Sequence, residues 1–305
     1  TVVEGAERAD LMQQLAREYK YDDPRSALSY ATGALRILEE SPDDTLEAKT
    51  FGRLSRVYQI TGQYDSALYY ARRFETASEK TGHTFLLANA YNYIGIAHSE
   101  MGNYPKAIEY TRKYIRLAND LDKERHIGMG YNNLGANYMK LGDYDQALKH
   151  FTVFLKISEH LDLKKDGIST ALSNMALVYH EIDSLDQALE CLNQAEEISR
   201  QADNQLALSQ IYSNMGRVFE KKANGRTARN YYRKSLKISE AIDRKKGVAL
   251  ASLHLGDLEE KENHNRQALS LYRYALDIYE KTDDQNGMAN ALYRLGKCNL
   301  KMGQM

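Results

Sequence analysis

Three asparagines, Asn133, Asn174 and Asn214, stand 41 and 40 residues apart. An asparagine side chain carries one acceptor oxygen and two N–H donors, so it can satisfy both polar groups of a peptide backbone. A row of them at even spacing suits an extended chain laid alongside. Asparagine is also a weak helix former. Its return within segments of helical periodicity therefore needs a reason, and a hydrogen bond to a neighbouring helix would serve as well as one to a ligand.

Nothing else in the chain assembles into a reactive set. The eight histidines are scattered, without the His-Glu-x-x-His spacing that puts two ligands on one helix face. His180 and His254 suit ligand hydrogen bonds better than catalysis. Cys191 and Cys298 lie at non-equivalent positions, which suggests neither a disulfide framework nor a metal site and leans towards a reducing compartment. There is no Gly-x-Ser-x-Gly elbow, and the glycines fall where helices meet or turn. The chain is expected to be no enzyme and to need no cofactor or metal.

What positions the asparagines is a repeat. Ala27, Ala67, Ala107, Ala147, Ala188, Ala228 and Ala268 follow one another at intervals of 40, 40, 40, 41, 40 and 40. Twelve residues before six of them stand Ser55, Gly95, Gly135, Ala176, Gly216 and Gly256, and Gly296 opens an eighth unit. A fixed period between about 20 and 50 residues marks a stacked array, in which each unit covers its apolar face with its neighbours. In the fourth unit Tyr131, Leu134 and Tyr138 are spaced by three and four, one stripe of an α-helix. Gly142-Asp143 breaks that helix, and Gly62-Gln63, Gly102-Asn103 and Asn224-Gly225 are the corresponding expected breaks. Pro105 falls in the first turn of a second helix, where its missing N–H costs nothing.

The pattern predicts an all-α chain of first helices near 9–21, 45–61, 85–101, 125–141, 166–182, 206–222, 246–262 and 286–302. Second helices are expected near 24–40, 64–80, 104–121, 144–161, 185–201, 225–241 and 265–281. The 305 residues then form a single array with repeats at about 9–40, 45–80, 85–121, 125–161, 166–201, 206–241 and 246–281 and a half repeat at 286–305. Thr1 is not an initiator methionine, and Gly303-Gln304-Met305 matches the start of a corner. The natural protein is therefore expected to continue, and the uncovered last helix to pair with a neighbour or a copy of itself.

The bulk numbers bound the partners. Forty-one Lys and Arg against 42 Asp and Glu leave a net charge of -1, without the basic excess of a nucleic-acid binder. No run approaches the roughly 18 apolar residues that a bilayer span requires. Twenty-three tyrosines could stack nucleobases, but most fall on packing positions of the repeat.

The aromatic, the Leu134-Gly135 pair, Tyr138 and Ala147 opening a second helix closely resemble the tetratricopeptide repeat, in its longer 40-residue form. Regions of this kind are similar to Leu-Gly-Asn-type scaffolds, kinesin light chains and bacterial sensor or regulator proteins. His98, Glu259 and Asn299 depart from the pattern, standing where Tyr58, Tyr138, Tyr179 and Phe219 supply an aromatic. The resemblance implies a right-handed α-α superhelix of seven full repeats and one half, with a groove lined by first helices. Positions two before and one after the small residue would face that groove.

Two before the small residue the chain reads Gln14, Arg53, Tyr93, Asn133, Asn174, Asn214, His254 and Arg294. Lys49, Arg53 and Arg56 cluster at one end, and Arg217, Arg294, Lys297 and Lys301 lean positive at the other, interrupted by Asp257 and Glu260. Asn92, Tyr93, Asn132 and Ser173 add polar and aromatic surface between. Together these residues imply a non-catalytic scaffold that binds an extended, acidic peptide. The alternative is the ligand-sensing region of a larger bacterial signalling protein with a membrane segment and a DNA-binding or histidine-kinase module. Lys49 and Arg53 also match half of a carboxylate clamp used by chaperone adaptors of this family. Gln14 breaks that pattern in the preceding repeat, so a heat-shock tail is not the expected ligand.

Overall fold

The computed structural model describes residues 2–21, 23–161 and 166–303. Gln304 and Met305, which the sequence places at the next corner, lie outside the described residues. The described residues form α-helices joined by short corners: α1 (Val2–Tyr19), α2 (Pro24–Glu40), α3 (Asp44–Ile60), α4 (Tyr64–Thr81), α5 (Thr84–Glu100), α6 (Tyr104–Asp120), α7 (Glu124–Leu141), α8 (Tyr144–His160), α9 (Asp166–Glu181), α10 (Leu185–Gln201), α11 (Gln205–Lys221), α12 (Gly225–Ala241), α13 (Lys245–Lys261), α14 (Asn265–Lys281) and α15 (Gln285–Lys301). The expected boundaries hold within about two residues except at the start of α1. That helix begins near residue 2 rather than 9, because Gly5 packs against Ser41 at the end of α2 and carries the helix back another two turns.

The chain divides into two compact units, Thr1–His150 and Phe151–Met305. In the first, α1 pairs with α2, α3 with α4 and α5 with α6. In the second, α9 pairs with α10, α11 with α12 and α13 with α14. First helices also touch each other in turn, α1 to α3 to α5 to α7 in one unit and α9 to α11 to α13 in the other. The layer whose members approach most closely lies on the inner side of a curved stack, so within each unit the first helices form the inner wall.

All seven repeat alanines are fully buried. What meets the small residue twelve positions earlier varies. In the second repeat the contact is direct, with Ser55 Oγ donating to the Ala67 carbonyl at 2.9 Å. At Gly216 and Gly256 the space is filled instead by Tyr232 and Tyr272, one turn beyond the alanine. Most of the first-helix aromatics named in the sequence stack twelve residues ahead: Tyr58 on Tyr70, Tyr138 on His150 and Phe219 on Tyr231. Tyr114, Tyr232 and Tyr272 are fully buried. Each buried phenol has a polar partner, as a desolvated hydroxyl requires.

The corners reveal a finer period than the sequence suggests. Residues in the left-handed region are Gly62, Gly82, Gly102, Asp122 and Gly142 in the first unit. In the second they are Asp183, Asp203, Ala223, Asp243, Asn263, Asp283 and Gly303. Within each set they recur every 20 residues. Each corner ties its N–H groups back to the preceding helix, as Asn224 N–H does to the Phe219 carbonyl at 2.9 Å. The expected break at Asn224-Gly225 thus lies one residue earlier, at Ala223. Asn224 caps α12 through Thr227 N–H, and Gly225 is its first residue.

Among the described residues no helix is long and apolar enough to cross a membrane. Both cysteines are free thiols, Cys298 buried and Cys191 partly so. Burial pushes the Cys191 thiol up to about 11. Helix α15 leaves Leu292, Tyr293 and Leu300 exposed.

Candidate functional site

In the first unit, α3, α5 and α7 carry Lys49, Arg53, Arg56, Asn92, Tyr93, Asn132 and Asn133. Asn133 does not stand free: its Nδ2 donates to Asn92 Oδ1 at 3.0 Å, joining α7 to α5, and Asn92 is buried. One amide N–H of Asn133 is spent on this bond, which leaves its other N–H and its oxygen. Asn132 is half-buried and has a partner of its own.

Arg53 is half-buried with its Nε shielded from water and unpaired. Desolvation holds its guanidinium below the usual value. Arg56 lies 3.3 Å from both Gln59 Oε1 and Tyr21 Oη. Lys49 is exposed. No carboxylate pairs with these three cations among the described residues. Gln59 Nε2 donates to the Tyr93 carbonyl at 3.0 Å, fixing the start of the α5 stripe against α3.

In the second unit the inner wall divides into two regions. Towards the C-terminal ends of the first helices, charges of both signs interlock. Arg294 clasps Asp257 with Nε at 2.9 Å and Nη2 at 3.2 Å, so α15 is tied to α13 by a two-pronged ion pair. Tyr272 Oη donates to Asp257 at 2.9 Å and lies 3.1 Å from Glu260. Lys261 pairs with Glu220, and Arg217 reaches Glu181 at 3.5 Å. The cavity here, of about 690 Å³, is lined by Glu220, Asp257, Arg294 and Lys297 among others. Sequence spacing marks Arg217 and Arg294 as cations facing a groove. Their charge is largely answered by carboxylates one helix away.

His254 lies in the same region with its ring stacked flat on Tyr232, centroids 4.9 Å apart. Burial pushes its imidazole down to about 4, against the opposing pull of Asp257. It is therefore neutral at physiological pH.

Towards the N-terminal ends, a second cavity of about 290 Å³ opens between α9, α11 and α13. Asn174 and Asn214 both line it, with Ser173 and Ser213 beside them. Here two of the three recurrent asparagines meet in one hollow. Asn174 has a partner within the protein, whereas Asn214 has none among the described residues. Ser213 and Arg244 were not singled out from sequence. The available signals were a serine three before the small residue, as at Ser173, and an arginine where Asn204 and Asp284 cap equivalent helices.

A cluster of Glu259, Glu262 and His264 has the reach to hold a cation. The Arg229 guanidinium already sits on both carboxylates, at 3.1 and 2.7 Å. That charge answers the cluster without a metal.

Comparison with known proteins places this architecture. A family model described as tetratricopeptide repeat matches residues 126–201, 167–241 and 207–281, and a second of the same description matches 88–121. No curated protein matches the chain by sequence. Many solved structures resemble it in fold. The apo form of RapI is 18% identical over 90% of this chain and 98% of its own, with a TM-score of 0.70. Aspartyl phosphate phosphatase F from Bacillus subtilis is 14% identical over 94% of this chain and 73% of its own, at 0.72. NprR, solved in complex with its cognate peptide NprX, is 16% identical over 98% and 84%, at 0.64. At such identities the likeness is one of fold. With its 40-residue period, buried alanines and paired helices, and with the family model covering half its length, the chain belongs to the tetratricopeptide repeat family.

Proposed function

We propose that this chain is a non-catalytic receptor for an extended peptide, held along the inner wall of first helices. The observation that carries the reading is the cavity between α9, α11 and α13, where Asn174, Asn214, Ser173 and Ser213 turn amide and hydroxyl groups to one hollow. Such groups match the alternating donors and acceptors of a peptide backbone without demanding a particular side chain. The peptide complex of NprR, similar in fold, supports the same reading. An acidic preference is supported by Lys49, Arg53 and Arg56 in the first unit, which form no ion pair with a carboxylate among the described residues. Arg217 and Arg294 support it less, since Glu181 and Asp257 already answer their charge.

Capture from the source cell followed by mass spectrometry of the eluted small peptides identifies the ligand. Asn174→Ala combined with Asn214→Ala should then weaken its binding by at least tenfold in calorimetry. An unchanged affinity removes the reading.

A further inference from the structure

The cavity between α9, α11 and α13 contains one charged side chain, Arg244. Arg244 occupies the N-cap position of α13 and gives that helix no side-chain cap. Among the described residues it has no carboxylate partner and no side-chain hydrogen bond. Arginines elsewhere in this unit, such as Arg229 and Arg294, are held by one or two carboxylates. The guanidinium is folded over Gly247: a Cβ there would lie 3.0 Å from Arg244 Nη1 and 2.5 Å from Ser239 Oγ. Glycine at this point leaves the room through which the cation reaches the hollow.

Ser213 is a second and independent sign. It lines the same cavity, is only 7% exposed, and has no partner for its hydroxyl among the described residues. Its neighbours Ser209 and Ser235 spend theirs on the carbonyls of Leu206 and Ser209. Its hydroxyl is not sealed from water but opens on the hollow, where it is free to donate to a bound group. Asn214 adds two more N–H donors beside it. The hollow thus gathers an unpaired guanidinium, a hydroxyl and an amide, an arrangement that accepts an oxyanion.

We infer that Arg244, Ser213 and Asn214 form a carboxylate-binding subsite, which anchors the bound peptide through an acidic side chain or its C-terminus. The subsite deepens the peptide-receptor reading and rests on it. It also gives the acidic preference a location in the second unit, at a residue other than Arg217 and Arg294.

The test uses the full chain and synthetic hexapeptide pools of three kinds. One has free C-termini and lacks Asp and Glu, one is amidated and carries a single Asp, and one is amidated and lacks both. At least one carboxylate-bearing pool should bind, and the carboxylate-free pool should bind at least tenfold more weakly. Arg244→Gln should remove that difference, Arg244→Lys should restore part of it, and Ser213→Ala should reduce it without lowering thermal stability. The first two pools tell the C-terminal source from the side-chain source. If Arg244→Gln binds every pool as the parent does, the subsite is wrong while the receptor reading stands. If no pool binds, the receptor reading falls, and the Arg244 Nε–H resonance during titration with N-acetylaspartate decides the subsite. A shift that Ser213→Ala weakens keeps it, and an unmoved resonance removes it.

Discussion

The ring of Tyr232 occupies the space that a side chain on Gly216 would need: a Cβ there would lie 2.4 Å from Tyr232 Cε1. Tyr232 is fully buried, its hydroxyl donates to Glu220 at 2.7 Å, and His254 stacks on its ring. The glycine, the phenol and the imidazole therefore form one packed column from α11 through α12 to α13. Gly256 and Tyr272 repeat the first half of it forty residues on.

Gly216→Ala forces Tyr232 off its place. Overpacking of this kind costs about 1–3 kcal/mol, more than the roughly 1 kcal/mol that alanine gains as a helix former. Net destabilisation of up to about 2 kcal/mol is expected in chemical denaturation. Gly296 is the internal control, because nothing lies within 4 Å of a Cβ added there. Gly296→Ala should stabilise by up to about 1 kcal/mol.

His254 gives the column a pH dependence. Burial lowers its folded value from the ordinary 6.5 to about 4. Between these values the unfolded chain takes up a proton that the folded chain refuses, so stability falls as pH drops from about 6.5 to 4 and does not return below. The largest effect is about 3 kcal/mol. Burial also lowers His98, His126, His150 and His180, so the whole chain slopes the same way. His254→Gln, which cannot charge, should flatten the difference between denaturation midpoints at pH 7 and pH 4.5. Identical slopes in the two proteins would contradict the assignment.

Asp257 is pulled on by Arg294 from α15 and by Tyr272 from α14. Asp257→Asn keeps the shape but removes the charge that both donors meet. A loss of about 1.5–3 kcal/mol is expected, the range for hydrogen bonds to charged groups. Hydrogen exchange should show the loss first in α15, which this pair ties to α13.

Ala223 holds a φ of 55° at the corner between α11 and α12. An L-residue there is crowded by its own Cβ, at a cost of roughly 1–2 kcal/mol. Ala223→Gly relieves the crowding but adds freedom to the unfolded chain. A net gain of about 0.5–1 kcal/mol should appear as a raised midpoint.

The fold is legible in the sequence because its determinants are local and repeated. Ala67, Ala107 and Ala147 each sit where two helices touch, and the spacing of three and four in Tyr131, Leu134 and Tyr138 is set by the helix itself. The corners of the second unit are harder to read, since Asp183, Asp203 and Asp243 hold a conformation for which glycine is the usual signal. Their carboxylates resemble ordinary surface charge.

The candidate site is legible only in part. Repeat position places Asn174 and Asn214 on the inner wall, and both line the cavity there. It does not say that Asn133 spends an N–H on Asn92, or that Arg294 spends its charge on Asp257. Those partners stand about forty residues away, and each depends on the side-chain reach of one pair. Arg244 was hidden for the opposite reason: its importance lies in lacking a partner, which no spacing reveals.

The twenty-residue spacing of the left-handed corners restricts how such a chain can lengthen. One helix with its corner is the smallest unit that can be duplicated, yet a single copy would reverse the direction of everything after it and exchange inner helices for outer ones. Asn174 and Asn214 would then point to opposite sides of the stack. Growth that preserves a recognition surface must therefore proceed in even numbers of helices, so affinity and length are inherited together in forty-residue steps.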